Sequence, residues 1–345
     1  MVSPKLMKAE VLITRRCNLH CSYCNMPTNK AELTPAQWIE IFNVLTDELG
    51  CPFYPVYGAE PLLYGGIYEI VSYFADSKKN AFSLLTNATM LNGLTRTKLL
   101  DAGLNSITLS IDDLFLSHRP SSTENLKLAP RGLGSIAFRE SQAWEAIKWA
   151  IGSGIKDIQG TSTVHRQNIE NVPDLVRYLS DKGVWYSFDM IHDNKSELGY
   201  YPRLSKVSGR SDLYSFTEAD LPKIEAFLRE MREMKLQGFK IYQPVEWFDF
   251  LLEEPDIVVY RDWLCDGNNI TWVTLDSDGQ VLICDDYLHP SGIYAKDLPK
   301  QWDNFYDFRY WAIQNCRSCI WSTHWLSEQQ LGKEGSISQV THGRI

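Results

Sequence analysis

The sequence lacks the long apolar run that a membrane span requires, since no stretch approaches ~18 uninterrupted apolar residues. Its N-terminal residues also lack an apolar region followed by a small-residue cleavage site, so no secretory signal is predicted. Lys and Arg form no long basic run, and the formal net charge is −9. These absences predict a cytoplasmic protein without a membrane partner and disfavour generic nucleic-acid binding.

Internal repeats and low-complexity tracts are also missing. Hydrophobic residues make up 44% and charged residues 22% of 345 residues, which is an ordinary composition for a globular protein with a large core. A chain of this length predicts about two domains, or one barrel with an appendage.

Short apolar runs alternate with amphipathic helical stretches between Glu10 and about Met190. The predicted strands are Val11–Thr14, Phe53–Tyr57, Phe82–Thr86, Ile107–Ile111, Ile158–Val164 and Trp185–Ile191. The predicted helices are Thr34–Leu49, Ile67–Ser77, Thr95–Ala102, Ser141–Ile151 and Val172–Asp181. This alternation predicts a parallel sheet, because each right-handed crossover returns the chain to the same edge. The fold class is therefore α/β, either an open six-stranded barrel or a doubly wound sheet, with the chemistry at the carboxyl ends of the strands.

The chain changes character in its last third, which predicts two domains, residues 1–242 and a smaller unit of residues 243–345. In the second unit, Ile270–Leu275 and Gln280–Cys284 flank the turn residues Asp276-Ser277-Asp278-Gly279 and predict a β-hairpin. Within the first unit, the segment Leu114–Arg139 is rich in Ser, Pro and Gly. Its length predicts a lid or binding loop.

Seven of the eight cysteines fall into two groups, and only Cys51 stands alone. Cys51 lies beside Pro52 at the start of an apolar strand and is predicted to be a buried small hydrophobic residue. In a chain without an export signal, closely spaced cysteines indicate metal binding or catalysis, because the cytosol keeps thiols reduced.

The first group, Cys17, Cys21 and Cys24, has the spacing C-x3-C-x2-C directly after the first strand. Three thiolates on one tight loop suit three irons of a cubane 4Fe-4S cluster and leave the fourth iron open to a non-protein ligand. The alternative is a zinc knuckle, which needs four protein ligands, with His20 as the fourth.

This cysteine triplet, with Tyr23 as the aromatic residue before its last cysteine, resembles the signature of the radical S-adenosylmethionine (SAM) superfamily. The resemblance implies a partial (β/α)6 TIM-like barrel whose open iron binds SAM. It also implies that one electron from the cluster cleaves SAM to methionine and a 5′-deoxyadenosyl radical, which abstracts a substrate hydrogen. An external electron donor such as flavodoxin or ferredoxin is implied as a partner.

Further positions are similar to the SAM contacts of that superfamily. Gly58-Ala59-Glu60-Pro61 resembles its GGEP segment, with Ala59 in place of the second glycine. Ser110 and Asp112 resemble polar residues that contact methionine or ribose, and Arg131 resembles an arginine that pairs with the SAM carboxylate. Asn87 is a further cofactor-binding candidate. Each has a structural alternative, such as a strand-end cap for Asp112 or ordinary turn chemistry for Asn87.

The second group is formed by Cys265, Cys284, Cys316 and Cys319, which match either a four-cysteine zinc ribbon or a fully ligated cubane cluster. Beside the first group, the pattern resembles the twitch form of the SPASM extension, which implies one auxiliary 4Fe-4S cluster. A fully ligated cluster has no open iron for substrate. It therefore favours electron transfer from a substrate radical and a net oxidation or bond formation.

Several polar residues at strand ends are predicted to face the barrel mouth: Tyr57, His165, Arg166, Asp189, His192 and Asp193. Of these, Tyr57, Asp189 and His192 are the catalytic candidates, since oxidation of a substrate requires a group that accepts a proton.

The favoured substrate is a ribosomally made peptide, because many twitch and SPASM relatives modify such peptides. Only sixteen residues precede Cys17, so a leader-binding domain is expected to be a separate protein. The alternative is dehydrogenase-type oxidation of an aminosugar, an aminocyclitol or a nucleotide. A rival from another class is a non-catalytic zinc protein in which both cysteine groups are structural.

Overall fold

The structure is a computed structural model, and its fold can be followed over most of the chain. The residues that it describes are 6–19, 21, 24, 30–77, 80–112, 133–191, 214–260, 272–283 and 291–314, with the backbone alone over 133–141.

Eight strands form one sheet. They are β1 (Lys8–Thr14), β2 (Phe53–Gly58), β3 (Ala81–Thr86), β4 (Ser106–Ser110), β5 (Asp157–Val164), β6 (Trp185–Met190), β7 (Trp272–Leu275) and β8 (Val281–Leu282). The helices are α1 (Pro35–Leu49), α2 (Ile67–Asp76), α3 (Gly93–Asp101), α4 (Leu133–Gly152), α5 (Val172–Asp181), α6 (Leu221–Leu236), α7 (Val245–Glu253), α8 (Ile257–Tyr260) and α9 (Trp302–Gln314). Short 3-10 turns cover Pro61–Leu63, Glu218–Asp220 and Ala295–Gln301.

The strand order is β6-β5-β4-β3-β2-β1-β7-β8, and strands β1 to β6 pair in parallel with their neighbours in sequence. A doubly wound sheet would reverse its order at a switch point, and this order has no such reversal over β1 to β6. The prediction of a partial, open barrel is therefore confirmed, and the sheet is not closed.

The first helix shows how the sequence sets these elements. The Thr34 side chain accepts a hydrogen bond from the Gln37 backbone N–H at 3.4 Å, while Gln37 Oε1 accepts from the Thr34 N–H at 2.9 Å. This capping box starts α1, and Gly50 ends it in the left-handed region at φ 62°. The apolar stripe of α1 is buried through Trp38, Ile41, Phe42, Leu45 and Leu49.

The two faces of the sheet differ in chemistry. The outer face carries the aliphatic and aromatic side chains that pack against the helices: Ala9, Val11, Ile13, Tyr54, Val56, Leu84, Ile107, Leu109 and Phe188. Cys51 is fully buried in the same core, which confirms its prediction as a small hydrophobic residue. The inner face, toward the barrel interior, is largely polar from β3 to β6.

Helix α4 begins earlier than predicted. The sequence indicated a loop to Arg139 and a helix from Ser141, whereas the backbone is helical from Leu133. The glycines at the start of this segment suggested a loop, but the good helix formers that follow extend the helix upstream. Most of the predicted lid, residues 114–132, lies outside the described residues, which also exclude residues 192–213.

The predicted hairpin is present and extends the barrel sheet. Strand β7 pairs in parallel with β1, from Lys8 opposite Trp272 to Val11 opposite Leu275, and β8 pairs with β7 in antiparallel fashion. The predicted strand residues Ile270, Thr271 and Cys284 lie outside the described residues. The division into residues 1–242 and 243–345 stays a prediction. Among the described helices, none is long and apolar enough to cross a membrane.

Candidate active site at the carboxyl edge of the sheet

Most of the predicted site residues that the structure describes lie at one edge of the sheet. Cys17 follows β1, Gly58 ends β2, Asn87 follows β3 and Ser110 ends β4. Asp189 lies near the end of β6. Because parallel strands end at the same edge, these residues line the mouth of the open barrel.

The segment after β2 is bound to the start of the cysteine loop through backbone hydrogen bonds. The Ala59 N–H donates to the Thr14 carbonyl at 3.1 Å, and the Glu60 N–H donates to the Arg16 carbonyl at 2.9 Å. Gly58 permits this approach, since a Cβ there would lie 2.4 Å from the Thr14 carbonyl oxygen. Ala59, which replaces the second glycine of the GGEP pattern, does not occupy the left-handed region.

Glu60 joins the ends of β2 and β3 through a fully buried carboxylate. Its oxygens accept hydrogen bonds from Thr86 Oγ1 at 2.7 Å, the Asn87 N–H at 2.8 Å and the Leu62 N–H at 3.0 Å. Burial raises the pKa of Glu60 to about 7, and these hydrogen bonds oppose that increase. The Glu60 carboxylate is thus bound by protein groups, so the Gly58-Ala59-Glu60 segment has its backbone groups to offer a ligand.

Asn87 connects the end of β3 to the cysteine loop. Its side-chain amide donates to Cys17 Sγ at 3.8 Å and to Asn18 Oδ1 at 3.1 Å. The Leu19 N–H also donates to Cys17 Sγ, at 3.4 Å. Burial raises the pKa of the Cys17 thiol, and the Leu19 hydrogen bond opposes this shift. Asn87 therefore lies beside the first cysteine, where the sequence predicted a cofactor contact.

Cys17, Cys21 and Cys24 of the first group form no disulfide bond within the described residues. Cys17 and Cys21 are half-buried, Cys24 is exposed, and the Cys24 N–H closes a turn onto the Cys21 carbonyl at 3.0 Å. Within the described part of the chain, no three His, Cys, Asp or Glu side chains are grouped closely enough to hold one metal ion. Three cysteines on one loop after β1 suit a cubane cluster, because such a cluster takes each thiolate on a separate iron.

On the other side of the mouth, Asp112 has a structural role in addition to its predicted one. It is 3% exposed, and its Oδ1 accepts from the Thr163 N–H at 2.9 Å. Asn168 Nδ2 donates to the Asp112 carbonyl at 3.0 Å. These bonds tie β4 to β5, as the strand-end alternative predicts. Ser110 is half-buried on the inner face of β4.

Two of the catalytic candidates lie on the inner face. Tyr57 on β2 donates through its hydroxyl to Glu10 Oε2 at 3.5 Å, and Glu10 forms an ion pair with Lys8 at 2.6 Å. Asp189 is half-buried on β6 opposite Thr163 on β5. Their placement agrees with the prediction that they face the barrel interior, while their chemical roles stay predictions.

His165 and Arg166 are held in structural contacts instead. The buried His165 ring packs edge-on against Tyr214 at 5.0 Å, and its Nδ1 accepts from the Gln167 N–H at 3.2 Å. Arg166 Nε donates to Asp220 Oδ1 at 3.1 Å. These contacts join the end of β5 to the segment before α6.

Hydroxyl and amide side chains line the inner face from β3 to β6, and this lining was not predicted. Ser83 and Thr108 hydroxyls are 3.2 Å apart across β3 and β4. Gln159 Nε2 donates to Ser187 Oγ at 2.5 Å, and Ser187 Oγ donates to Thr161 Oγ1 at 3.0 Å. The sequence of β4, Ser-Ile-Thr-Leu-Ser, alternates polar and apolar residues and could have indicated this polar face. Strands that are buried on both faces are usually apolar throughout.

The remaining predicted site residues lie outside the described residues. They are His20, Tyr23, Arg131, His192 and Asp193, and all four cysteines of the second group, Cys265, Cys284, Cys316 and Cys319.

Comparison with known proteins decides the family. Residues 11–179 match the sequence profile of the family described as the radical SAM superfamily. This chain carries a radical SAM domain. The chain is an enzyme, and its radical SAM domain implies a 4Fe-4S cluster and SAM as cofactors. One curated relative, a probable GTP 3′,8-cyclase of Methanocaldococcus jannaschii, is 26% identical over 242 residues, which is 69% of this chain and 75% of the relative.

Solved structures share the fold at lower identity. SuiB of Streptococcus suis, bound to its precursor peptide SuiA, superposes with a TM-score of 0.60 at 18% identity over 86% of this chain. The chain spans 64% of the length of that SuiB structure. The enzyme anSMEcpe, with bound AdoMet and the Cp18Cys peptide, gives a TM-score of 0.59 at 19% identity, over 90% of this chain and 82% of its own. These likenesses support the fold, which is a partial barrel.

Proposed function

We propose that Cys17, Cys21 and Cys24 hold the 4Fe-4S cluster that binds SAM. The observation that carries this proposal is the position of three cysteines, none of them in a disulfide bond within the described residues, on one loop at the carboxyl edge of the sheet. When bound, the cluster and SAM supply a 5′-deoxyadenosyl radical that abstracts a substrate hydrogen. The neighbouring Gly58-Ala59-Glu60 segment offers SAM its backbone groups, as the resemblance implies, with Ser110, Asp112, Asn87, Tyr23 and Arg131 as further contacts.

The residues around the loop keep it in position. The buried Glu60 carboxylate fixes the ends of β2 and β3, and the Asn87 amide reaches from β3 to the first cysteine sulfur. Asp189 or Tyr57 on the inner face, or His192, which lies outside the described residues, accepts the proton that the substrate loses during oxidation. A half-buried carboxylate such as Asp189 suits this role, because it is accessible from the barrel interior.

The favoured substrate is a ribosomally made peptide. SuiB and anSMEcpe, whose structures are titled with bound peptides, share this fold over most of the chain. The hydroxyl and amide groups of the inner face suit a peptide segment, which offers many hydrogen-bond donors and acceptors. An external one-electron donor such as flavodoxin or ferredoxin and a separate leader-binding protein would complete this system in the cytoplasm.

The second candidate substrate is a nucleotide or another small molecule, and the GTP 3′,8-cyclase relative favours it. A triphosphate is usually held by Arg and Lys side chains. Among the inner-face residues of the described strands, Lys8 is the only cation, and it is paired with Glu10 at 2.6 Å. This arrangement favours a peptide or a neutral or cationic small molecule over a triphosphate.

We also propose that Cys265, Cys284, Cys316 and Cys319 hold one auxiliary 4Fe-4S cluster, which would accept an electron from the substrate radical. The proposal rests on their pattern in the sequence. With one cubane per cysteine group, anaerobically purified protein should contain about eight irons per chain. A value of about four would leave the second group without a cluster.

The substrate proposal is tested by anaerobic incubation of the protein with SAM, dithionite and either a precursor peptide encoded beside its gene or GTP. Mass spectrometry of the peptide should show the loss of two hydrogens or a crosslink, and Asp189→Asn should lower product yield more than it lowers 5′-deoxyadenosine. An unchanged peptide together with a modified nucleotide would contradict the peptide assignment and support the alternative.

A further inference from the structure

The turn of the β7–β8 hairpin packs against both flanks of the cysteine loop. This turn, residues 276–279, comes from a region some 250 residues away in sequence, as the separation of 246 to 261 residues between its hydrogen-bonded partners shows. On the N-terminal side it contacts Arg15, two residues before Cys17. On the C-terminal side it contacts the segment Lys30–Leu33, which follows the loop.

Asp276 is the centre of this contact. Its side chain is 0% exposed, and its carboxylate is paired with two cations. The Arg15 guanidinium makes a two-pronged contact, with Nε donating to Oδ1 at 2.8 Å and Nη2 donating to Oδ2. Lys30 Nζ donates to the same Oδ2 at 2.5 Å. One buried carboxylate therefore holds cations from both ends of the cysteine loop.

Further contacts fix the turn against the C-terminal flank. The Leu33 N–H donates to the Ser277 carbonyl at 2.9 Å, and Ser277 Oγ donates to the Ala31 carbonyl at 2.9 Å. Gly279 has a left-handed φ of 82°, and a Cβ there would lie 2.8 Å from Leu33 Cδ1. The turn is thus held against this flank by hydrogen bonds to backbone groups and by close packing, in addition to the Asp276–Lys30 ion pair.

A second ion pair closes the loop on its outer side. Arg16 donates through Nε and Nη2 to the two oxygens of Glu32, at 2.7 and 2.8 Å, and Arg16 is about half exposed. An exposed ion pair of this kind contributes little to stability, because water competes for the charges. The Asp276 contact is shielded from water, so it is the stronger restraint on the distance between the two flanks.

We propose that Asp276 is a positioning residue for the cysteine loop, and that the hairpin turn thereby sets the geometry in which the first cluster is held. Asp276 acts through Arg15 and Lys30. In sequence, its hairpin lies between Cys265 and Cys284, so the contact links the loop of the first cysteine group to the region of the second. The inference rests on the proposed cluster site, although the restraint itself is a property of the protein chain.

The test compares two matched variants of the anaerobically purified protein. Asp276→Asn removes one buried carboxylate that is paired with an arginine at this edge of the sheet. Asp220→Asn is the control, since Asp220 is 6% exposed and paired with Arg166 at 3.1 Å, away from the cysteine loop. Three measurements are made on each: amide hydrogen exchange over residues 17–33, the rate of iron loss to a chelator, and the electron paramagnetic resonance signal of the reduced protein with and without SAM.

Asp276→Asn should speed hydrogen exchange over residues 17–33 and iron loss by about tenfold or more, because it leaves the buried Arg15 without its charged partner, while Lys30 keeps only its ion pair with Asp278 at 3.1 Å. Its resonance signal with SAM should broaden or shift. Asp220→Asn should leave all three readouts near wild type, even where its melting temperature falls as far. Equal exchange, iron loss and spectra in the two variants would overturn the proposal.

If Asp276→Asn does not fold, Lys30→Met provides the test. It keeps the buried Arg15–Asp276 pair and releases only the C-terminal flank, so an effect of the same kind but smaller is expected. Unchanged exchange over residues 30–33 in Lys30→Met would also contradict the proposal. Wild-type protein that binds iron only at the second group would instead contradict the proposed cluster site, while the exchange readout would still decide the restraint.

Discussion

The two halves of the carboxyl edge are built differently. At the ends of β1 to β3, hydrogen bonds connect the strands. Glu60 is fully buried and accepts hydrogen bonds from Thr86 and Asn87, and the Asn87 amide donates to Cys17 Sγ. At the ends of β4 to β6, the inner-face residues Ser110 and Asp189 are half-buried.

This difference separates two tasks. The β1–β3 half is rigidly cross-linked, which suits a cofactor that must be held in one geometry. The β4–β6 half presents hydroxyl, amide and carboxylate groups to the barrel interior, where a TIM barrel is usually filled with branched aliphatic residues. We therefore propose that the first half holds the cluster and that the second half receives the substrate, with SAM between them through the proposed contacts of Ser110 and Asp112 at the end of β4. The predictions below test that division.

The largest effect is expected from Cys24→Ala compared with Cys51→Ala. Cys24 is exposed, so its removal should leave the melting temperature of the iron-free protein unchanged but abolish the iron of the first group. Cys51 is fully buried, so its removal should lower stability by about 1 kcal/mol and leave the iron unchanged. Iron assays and thermal melts measure the two effects. Iron loss in both variants, or in neither, would contradict the assignment of the first cluster to the cysteine loop.

Glu60→Gln should change how stability depends on pH. The folded pKa of Glu60 is about 7, above its ordinary value of 4.5, so the folded protein keeps a proton that the unfolded chain has released. This contribution is fully present below pH 4.5 and is lost as pH rises to about 7. The loss corresponds to about 3 kcal/mol. Urea unfolding of the iron-free protein from pH 5 to 8 should show a flatter profile for Glu60→Gln.

Glu32→Gln is a control, because the pKa shift of Glu32 has the opposite sign to that of Glu60. Burial alone would raise the pKa of Glu32, but hydrogen bonds from Arg16 and Thr14 hold it below the ordinary value. Its contribution is therefore present above the ordinary pKa and is lost as pH falls. Glu32→Gln should flatten the acid side of the profile and leave the decline toward neutral pH intact. The same change of slope in both variants would contradict the burial argument for Glu60.

Gly58→Ala should destabilise the edge by about 2 kcal/mol, because the new Cβ would lie 2.4 Å from the Thr14 carbonyl oxygen. Gly65→Ala is the matched control, since a Cβ at Gly65 meets nothing within 4 Å. Urea unfolding measures the difference between the two variants. If both alanines cost the same, the close approach of β1 and β2 at this edge would be refuted.

The smallest effect is expected from Ser187→Ala on β6. The change removes the centre of the Gln159–Ser187–Thr161 hydrogen-bond chain and should cost about 1 kcal/mol of folding stability. Iron content and SAM cleavage without substrate should match wild type, because the residue belongs to the substrate half. A loss of iron in this variant would show that the two halves are not separate.

Local sequence patterns predicted the fold well. The strand ends were correct to within a few residues over β1 to β6, because the apolar runs and turns alternate regularly. The start of α4 was wrong, since glycines near Leu133 suggested a loop. The polar inner face was readable from the alternation in β4 but was not recognised.

The tertiary contacts of the site were not predictable in the same way. The spacing of Cys17, Cys21 and Cys24 is local and can be read directly from the sequence. The pairing of Asp276 with Arg15 joins residues 261 positions apart, and the sequence of the turn indicates only a hairpin. That contact depends on β7 pairing with β1, which no local pattern specifies.

The most direct test of the account is the amount of 5′-deoxyadenosine formed from SAM under anaerobic conditions with dithionite. We predict that iron-loaded wild-type protein forms it and that Cys24→Ala, with intact folding, forms none. Iron-loaded wild-type protein that forms no 5′-deoxyadenosine, or Cys24→Ala protein that forms it at the wild-type rate, would contradict the assignment of SAM cleavage to the first cysteine group.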